Sequence, residues 1–191
     1  MTDQRPRPGP STRAIRAASR VPDVRQVPTS VPIYQTATFA SADAEELAAV
    51  LGGDRPGYAY SRIDNPTVTA LGDAIADLHA AEAGIALATG MAAIHAGFLS
   101  LLRAGDRVLI GTVGYGTTRS QALAAFGRLG IEIASVDPTD PAAVDAALAA
   151  APTRLLHVET IANPTCVVAD VPALAAAAHR HGALLTVDNT F

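Results

Sequence analysis

The chain of 191 residues contains no lysine, because all 14 of its basic residues are arginine. A reaction that needs a lysine amine, such as Schiff-base formation with a carbonyl compound, therefore cannot use a side chain of this sequence. Cysteine is almost as scarce, since Cys166 is the only one. A single cysteine excludes an internal disulfide and a cysteine-based metal site, and we assign it no role.

Long apolar runs and an excess of positive charge are also missing. No run approaches the roughly 20 apolar residues of a membrane-spanning helix, and the polar, proline-rich start has no stretch of the secretory type. The 14 basic and 18 acidic residues form no long blocks of one sign, which argues against nucleic-acid and anionic-lipid partners. We therefore expect a cytoplasmic protein that binds neither nucleic acid nor membranes.

Hydrophobic residues make up 49% of the chain, which suffices for a core of ordinary size. The first part, residues 1–56, is interpreted as an N-terminal arm rich in proline, arginine and serine, followed by a short helix over 42–51. Residues 57–191 are interpreted as the first part of a larger domain. That part opens with an irregular loop over 56–65, which contains two tyrosines.

After this loop, short apolar runs alternate with helical patterns. Asn65 followed by Pro66 predicts a helix start, with the helix covering 66–82, and Asp140 and Asp170 predict two more starts. The alternation is typical of βαβ units, so we expect an α/β, doubly wound fold with a mostly parallel sheet flanked by helices. The predicted strands are 85–88, 108–110, 131–136, 155–158 and 183–187, and the remaining predicted helices are 91–102, 118–129, 141–150 and 171–181.

The last residues, LLTVDNTF, place the end of the sequence directly after a predicted central strand. A sheet that ended there would expose an apolar edge and face. We therefore expect a split protein, or a fragment of a longer one, that needs a partner.

Ligands of doubly wound sheets bind at the carboxyl ends of the strands. Gly90 and Met91 follow the run 85–88 at a predicted strand-to-helix turn, where backbone N–H groups can bind a phosphate. A plain tight turn is an equally good interpretation of these two residues. Tyr115 lies between two glycines after the run 108–110, where its ring could stack on a planar cofactor or simply belong to a surface loop.

Asp188 follows the run 183–187, and a partly buried carboxylate there needs a partner such as a protonated ring nitrogen. A helix N-cap or a turn residue explains it about as well. The glycine order after 108–110 is not G-x-G-x-x-G, which disfavours a nucleotide-binding Rossmann domain. The five histidines share no metal-ligand spacing with nearby acids, so no metal site is predicted.

Taken together, these motifs resemble the cystathionine γ-synthase/γ-lyase family of pyridoxal-phosphate (PLP) enzymes, and their order matches over nearly the whole chain. One departure is Thr117, which occupies a position where methionine γ-lyases carry cysteine and so argues mildly against that member. The matching segments begin at Thr12, Val31, Tyr58, Asn65, Thr89, Gly105, Tyr115, Glu159, Asn163 and Asp188.

The resemblance implies an aspartate aminotransferase-like fold of type I with PLP as its cofactor. Backbone at Gly90 and Met91 would hold the PLP phosphate. Tyr60 and Arg62 would reach the phosphate in a neighbouring subunit, which makes the protein an oligomer. Arginine suits that task because its planar guanidinium group can donate two hydrogen bonds to the oxygens of one phosphate.

The remaining assignments by resemblance concern the PLP ring. Tyr115 would stack on the ring and take part in proton transfer, which makes it the candidate catalytic residue. Asn163 would lie near the ring 3-oxygen and Asp188 would pair with the ring nitrogen. Thr190 is assigned to the same cofactor-binding set.

The activity implied is β- or γ-elimination or replacement on an amino-acid substrate, either a sulfur amino acid or an O-acylhomoserine. In the family, the Schiff-base lysine and a small C-terminal domain follow the aspartate. We therefore expect both to come from a second polypeptide or from a missing segment of the same protein. The alternative is a non-catalytic scaffold that keeps the shell of the PLP site and docks to a full-length relative.

Overall fold

The computed structural model describes residues 9–13 and 27–191. The chain divides into two compact units, Met1–Ile85 and Ala86–Phe191. The boundary after residue 56 that we inferred from the sequence stays a prediction. The matching segment that begins at Thr12 lies partly outside the described residues.

Between residues 27 and 85, the first unit contains two helices, α1 (Ala44–Gly52) and α2 (Pro66–Leu78). The predicted start of α2 is confirmed, because the Asn65 side chain accepts a hydrogen bond from the Thr67 N–H and Pro66 is the first helical residue. The helix ends four residues before the predicted residue 82. It stops near Ala80, whose φ of 50° lies in the left-handed region that a right-handed helix does not use.

The second unit is an α/β layer structure with four parallel strands in the order β2-β1-β3-β4. The predicted parallel sheet is confirmed, and Asp140 and Asp170 cap the helices that follow them. Its elements are α3 (Gly90–Leu101), β1 (Arg107–Gly111), α4 (Gly116–Gln121), β2 (Glu132–Val136), α5 (Pro141–Ala150), β3 (Leu155–Glu159), α6 (Val171–Arg180) and β4 (Leu184–Asp188).

Two predicted elements of this unit are wrong or altered. The run 85–88 is not a strand, because its backbone pairs with no strand of the described sheet, and Ile85 is 85% exposed. The predicted helix 118–129 instead begins at Gly116 and changes after Gln121 into a π-helical turn, Ala122–Phe126, and a 3-10 turn, Gly127–Leu129. The π-helical turn begins at Ala122 and ends at Phe126, and both of these side chains are buried.

Helices cover both faces of the sheet, as the doubly wound prediction requires. One apolar cluster joins Leu109 of β1 and Leu156 of β3 to side chains of α5 and α6. The other joins Val108 and Ile110 of β1 to Phe98 of α3 and to the π-helical turn. Alternate residues of one strand thus enter opposite clusters, as the twofold side-chain period of a strand dictates. No helix in the described ranges has the length and apolar character needed to cross a membrane.

One buried histidine belongs to this core. His157 of β3 is 5% exposed, its Nδ1 lies 3.0 Å from the Thr186 hydroxyl of β4, and its ring meets the edge of Phe98 at a centroid distance of 5.1 Å. Burial lowers the pKa of His157 from 6.5 to about 4, while the negative charge of Asp188 acts in the opposite direction. The imidazole is therefore neutral at pH 7.

His157 makes stability depend on pH in a defined direction. Between pH 6.5 and 4 the unfolded chain binds a proton on this residue that the folded chain does not bind. The free energy of unfolding therefore falls as the pH is lowered through this window, by at most about 1.4 kcal/mol per pH unit. Urea unfolding at several pH values should show a shallower dependence in His157→Phe than in the wild type. The exposed His79→Asn is the matched control, and an unchanged slope in His157→Phe would contradict the assignment.

Candidate functional site

A cavity of about 330 Å³ lies at the carboxyl-terminal edge of the sheet in the second unit. It brings together six residues that the sequence singled out: Gly90, Met91, Tyr115, Asn163, Asp188 and Thr190. Three different strand ends and the start of α3 contribute to its walls. The other lining residues are Thr89, Ile94, Glu159, Ile161 and Phe191.

The start of α3 gives the cavity an anion-binding corner. The Thr89 hydroxyl accepts from the Ala92 N–H at 3.0 Å, and the Ala93 N–H donates to the Thr89 carbonyl at 3.1 Å. Because the first turn of a helix leaves its N–H groups without helical partners, the donors that remain are those of Gly90 and Met91. A Cβ added at Gly90 would meet no atom within 4 Å, so there is open space beside these donors.

Asp188 supplies a negative charge to the same cavity from the end of β4. Its Oδ1 accepts hydrogen bonds from the Thr190 hydroxyl at 2.5 Å and from the Thr190 N–H at 3.1 Å. Both contacts use Oδ1, so among the described residues Oδ2 has no hydrogen-bond partner and is available to a ligand. Thr190 thus orients the Asp188 carboxylate.

Glu159, at the end of β3, connects the loops that carry Tyr115 and Asn163. The Tyr115 N–H donates to Glu159 Oε1, and the Asn163 N–H donates to Oε2 at 3.1 Å. Glu159 begins one of the segments that resemble the family, but no role in the site was predicted for it. Its position one strand away from Asp188, at the end of a buried run, was the available signal.

Gly114 is required by this arrangement. Its φ of 156° disfavours any residue with a side chain, and a Cβ at this position would lie 2.9 Å from Glu159 Oε1. The Tyr115 ring next to it is 44% exposed and forms part of the cavity wall. The glycine therefore allows the Tyr115 loop to approach the Glu159 carboxylate closely.

Tyr60 and Arg62 belong to the first unit. The Arg62 guanidinium lies over the Tyr60 ring at 5.0 Å from its centroid, and both side chains are exposed. Such a pair presents a cation and an aromatic hydroxyl together. Their role at the phosphate of a neighbouring subunit stays a prediction.

A second cavity, of about 220 Å³, shares Tyr115 and Glu159 with the first. Its lining residues include Thr118 and His157, whose Oγ1 and Nε2 atoms are buried without a hydrogen-bond partner among the described residues. No group of three or more histidine, cysteine, aspartate or glutamate side chains in the described ranges is placed to hold a metal ion.

The first cavity has the chemistry that PLP requires. N–H donors at a helix start suit a phosphate, the Asp188 carboxylate suits a protonated ring nitrogen, and the Tyr115 ring offers an aromatic face. A volume of about 330 Å³ falls within the range of about 300–1,000 Å³ that is usual for cofactor sites. The residues present therefore fit this cofactor.

Comparison with known proteins identifies relatives of the same chemistry. The chain is 43% identical over 160 residues to an L-methionine gamma-lyase of Pseudomonas putida, covering 84% of this chain and 40% of that protein. It is 37% identical over 183 residues to an O-acetyl-L-homoserine sulfhydrylase of Corynebacterium glutamicum, covering 95% of this chain and 41% of that protein. The chain thus spans about 40% of the length of these curated relatives.

Solved structures give the same result for the fold. The crystal structure of metB from Corynebacterium glutamicum matches with a TM-score of 0.78 and 36% identity, covering 96% of this chain and 46% of that one. An O-acetylhomoserine (thiol)-lyase from Campylobacter jejuni matches with a TM-score of 0.77 and 29% identity, covering 84% of this chain and 39% of that one. The latter contains a pyridoxyl-lysine phosphate group, and these neighbours have the type I fold of PLP enzymes.

The family model described as Cys/Met metabolism PLP-dependent enzyme matches residues 11–191. That range is nearly the whole chain and includes every residue of the cavity. The chain therefore belongs to the Cys/Met metabolism family of PLP-dependent enzymes.

Proposed function

We propose that this chain supplies the PLP-facing part of an enzyme that carries out β- or γ-elimination or replacement on a sulfur amino acid or an O-acylhomoserine. The observation that carries the proposal is the single cavity in which the start of α3 and the Asp188 carboxylate meet. When bound, PLP withdraws electrons from the α-carbon of an amino-acid substrate. The names of the relatives include lyases and synthases, which supports the reaction class without choosing a substrate.

Each residue of the cavity has a separate task in this proposal. The N–H groups of Gly90 and Met91 bind the phosphate, and Asp188, oriented by Thr190, keeps the ring nitrogen protonated. Tyr115 would cover one face of the ring, and its hydroxyl would exchange protons with the substrate. Asn163 would lie near the ring 3-oxygen.

The amine that binds PLP covalently must come from outside this sequence, because the chain has no lysine. In our proposal a second polypeptide, or another segment of a longer protein, brings the lysine and the C-terminal domain. Tyr60 and Arg62 serve a neighbouring subunit in the resulting cytoplasmic oligomer. The absence of lysine also supports a second candidate, a non-catalytic scaffold for a full-length relative, which would bind PLP without any turnover after reconstitution.

The phosphate contact can be tested on this chain by itself. Gly90→Pro removes one N–H donor while keeping the helix, because proline is favoured at the first helical position. Gly90→Ala, which also adds a Cβ but keeps the N–H, is the matched control. We expect Gly90→Pro to bind PLP about tenfold more weakly than the control, the equivalent of about 1.4 kcal/mol, in equilibrium dialysis.

Pyridoxal, which lacks the phosphate, should bind Gly90→Pro and Gly90→Ala equally. Borohydride treatment of the wild-type chain with PLP should leave no pyridoxyl group on any side chain. Equal PLP affinities for the two variants would refute the phosphate assignment, and a borohydride-stable side-chain adduct would refute the need for an external lysine.

Asp188 can be tested in the enzyme reassembled with its lysine-bearing part. Asp188→Asn keeps the shape but removes the charge that holds the ring nitrogen protonated. A charge-assisted hydrogen bond contributes about 1.5–3 kcal/mol, so turnover should fall by roughly tenfold to over a hundredfold, while PLP affinity falls less. Steady-state kinetics with unchanged turnover would mean that Asp188 is only a turn residue.

A further inference from the structure

We infer that Glu159 is a positioning residue that fixes Tyr115 against the cofactor cavity. The inference rests on the proposed function, in which Tyr115 covers the PLP ring. Glu159 accepts the Tyr115 N–H with Oε1 and the Asn163 N–H with Oε2. One carboxylate therefore joins the loop after β1 to the loop after β3.

The contact with Tyr115 is the long-range half of this connection. Asn163 lies four residues from Glu159, whereas Tyr115 lies 44 residues away along the chain. Tyr115 is the N-cap residue of α4, and no side-chain hydrogen bond caps this helix start. The bond to Glu159 thus holds the backbone at the residue whose ring faces the cavity.

Gly114 lies at the same contact between the Tyr115 loop and Glu159. A side chain there would lie 2.9 Å from Glu159 Oε1, so the loop keeps a residue without a Cβ where it meets the carboxylate. Gly114 has a positive φ of 156°, and it directly precedes Tyr115, whose N–H donates to Glu159. Backbone conformation and side-chain contact thus serve the same interaction.

The position and the hydrogen bonds of Glu159 also indicate an indirect role. It is the register partner of Asp188 on the neighbouring strand, so both carboxylates lie on one face of the sheet. Asp188 has a free oxygen, whereas both oxygens of Glu159 accept backbone N–H groups. Glu159 therefore acts on the cavity through Tyr115 and Asn163.

Two variants separate positioning from a simple charge effect. Glu159→Gln keeps one acceptor oxygen and loses the charge, while Glu159→Asp keeps the charge but is one methylene too short to reach both loops. Glu132→Gln at the start of β2 removes the same charge and is the matched control. We expect amide hydrogen exchange of Tyr115 or Asn163, measured by NMR without PLP, to speed up at least tenfold in both Glu159 variants and not in the control.

Wild-type exchange at both amides in both variants would overturn the inference. So would a change in Glu159→Gln alone, because wild-type exchange in Glu159→Asp means that neither loop depends on the reach of the Glu159 side chain. Gly114→Ala should speed exchange at Tyr115, and adding it to Glu159→Asp should produce little further change, since both act on one contact. Fully additive effects would contradict the shared contact, and Gly114→Ala also provides the test if Glu159→Gln does not fold.

The circular dichroism of bound PLP distinguishes positioning of Tyr115 at the cofactor from a purely structural role of Glu159. If Glu159 positions Tyr115, the induced circular dichroism of bound PLP should change in Glu159→Asp even where the urea midpoint stays near that of the wild type. Faster amide exchange with an unchanged PLP signal would overturn positioning of the cofactor. Failure of the wild-type chain to bind PLP would refute the proposed function instead, since the amide exchange result does not depend on PLP.

Discussion

The site depends on the parallel pairing of β3 with β1 on one side and with β4 on the other. Because parallel strands end at the same edge of a sheet, the pairing places Glu159, Asp188 and the Tyr115 loop together although they are distant in sequence. The same register directs Glu159 and Asp188 to one face. A shift of one residue in either strand would turn one carboxylate away from the cavity.

The cavity is electrostatically asymmetric along its length. Helix α3 begins there with the N–H donors of its first turn and the positive end of its dipole, while Asp188 lies at the end of β4. A ligand with an anionic group and a cationic ring nitrogen satisfies both ends simultaneously. A simple dicarboxylate, which has no cationic group, would satisfy only one of them.

The local signals of the sequence predicted most of the fold. Helix starts at Asn65, Asp140 and Asp170 follow from side chains that cap the neighbouring N–H groups, and β1 to β4 follow from short apolar runs between helices. The run 85–88 has the same apolar character but no strand partner in the described sheet. A strand requires a neighbour with matching hydrogen-bond groups, and composition does not reveal one.

Several residues of the candidate site were also predictable from local features of the sequence, whereas contacts between distant parts of the chain were not. Asp188 and Tyr115 could be named because strand ends in this fold class face ligands. Gly90 could be named because it is a glycine at a predicted helix start, although the run before it is not a strand. The position of Glu159 at a strand end was a signal for the site, but its contacts could not be predicted, because they are with backbone N–H groups of two loops and require the folded chain. Both oxygens of Glu159 accept loop N–H groups, whereas Oδ2 of Asp188 has no hydrogen-bond partner in the part of the chain that the structure describes. Two acids that look alike in sequence thus differ in their contacts, and only the folded chain reveals the difference.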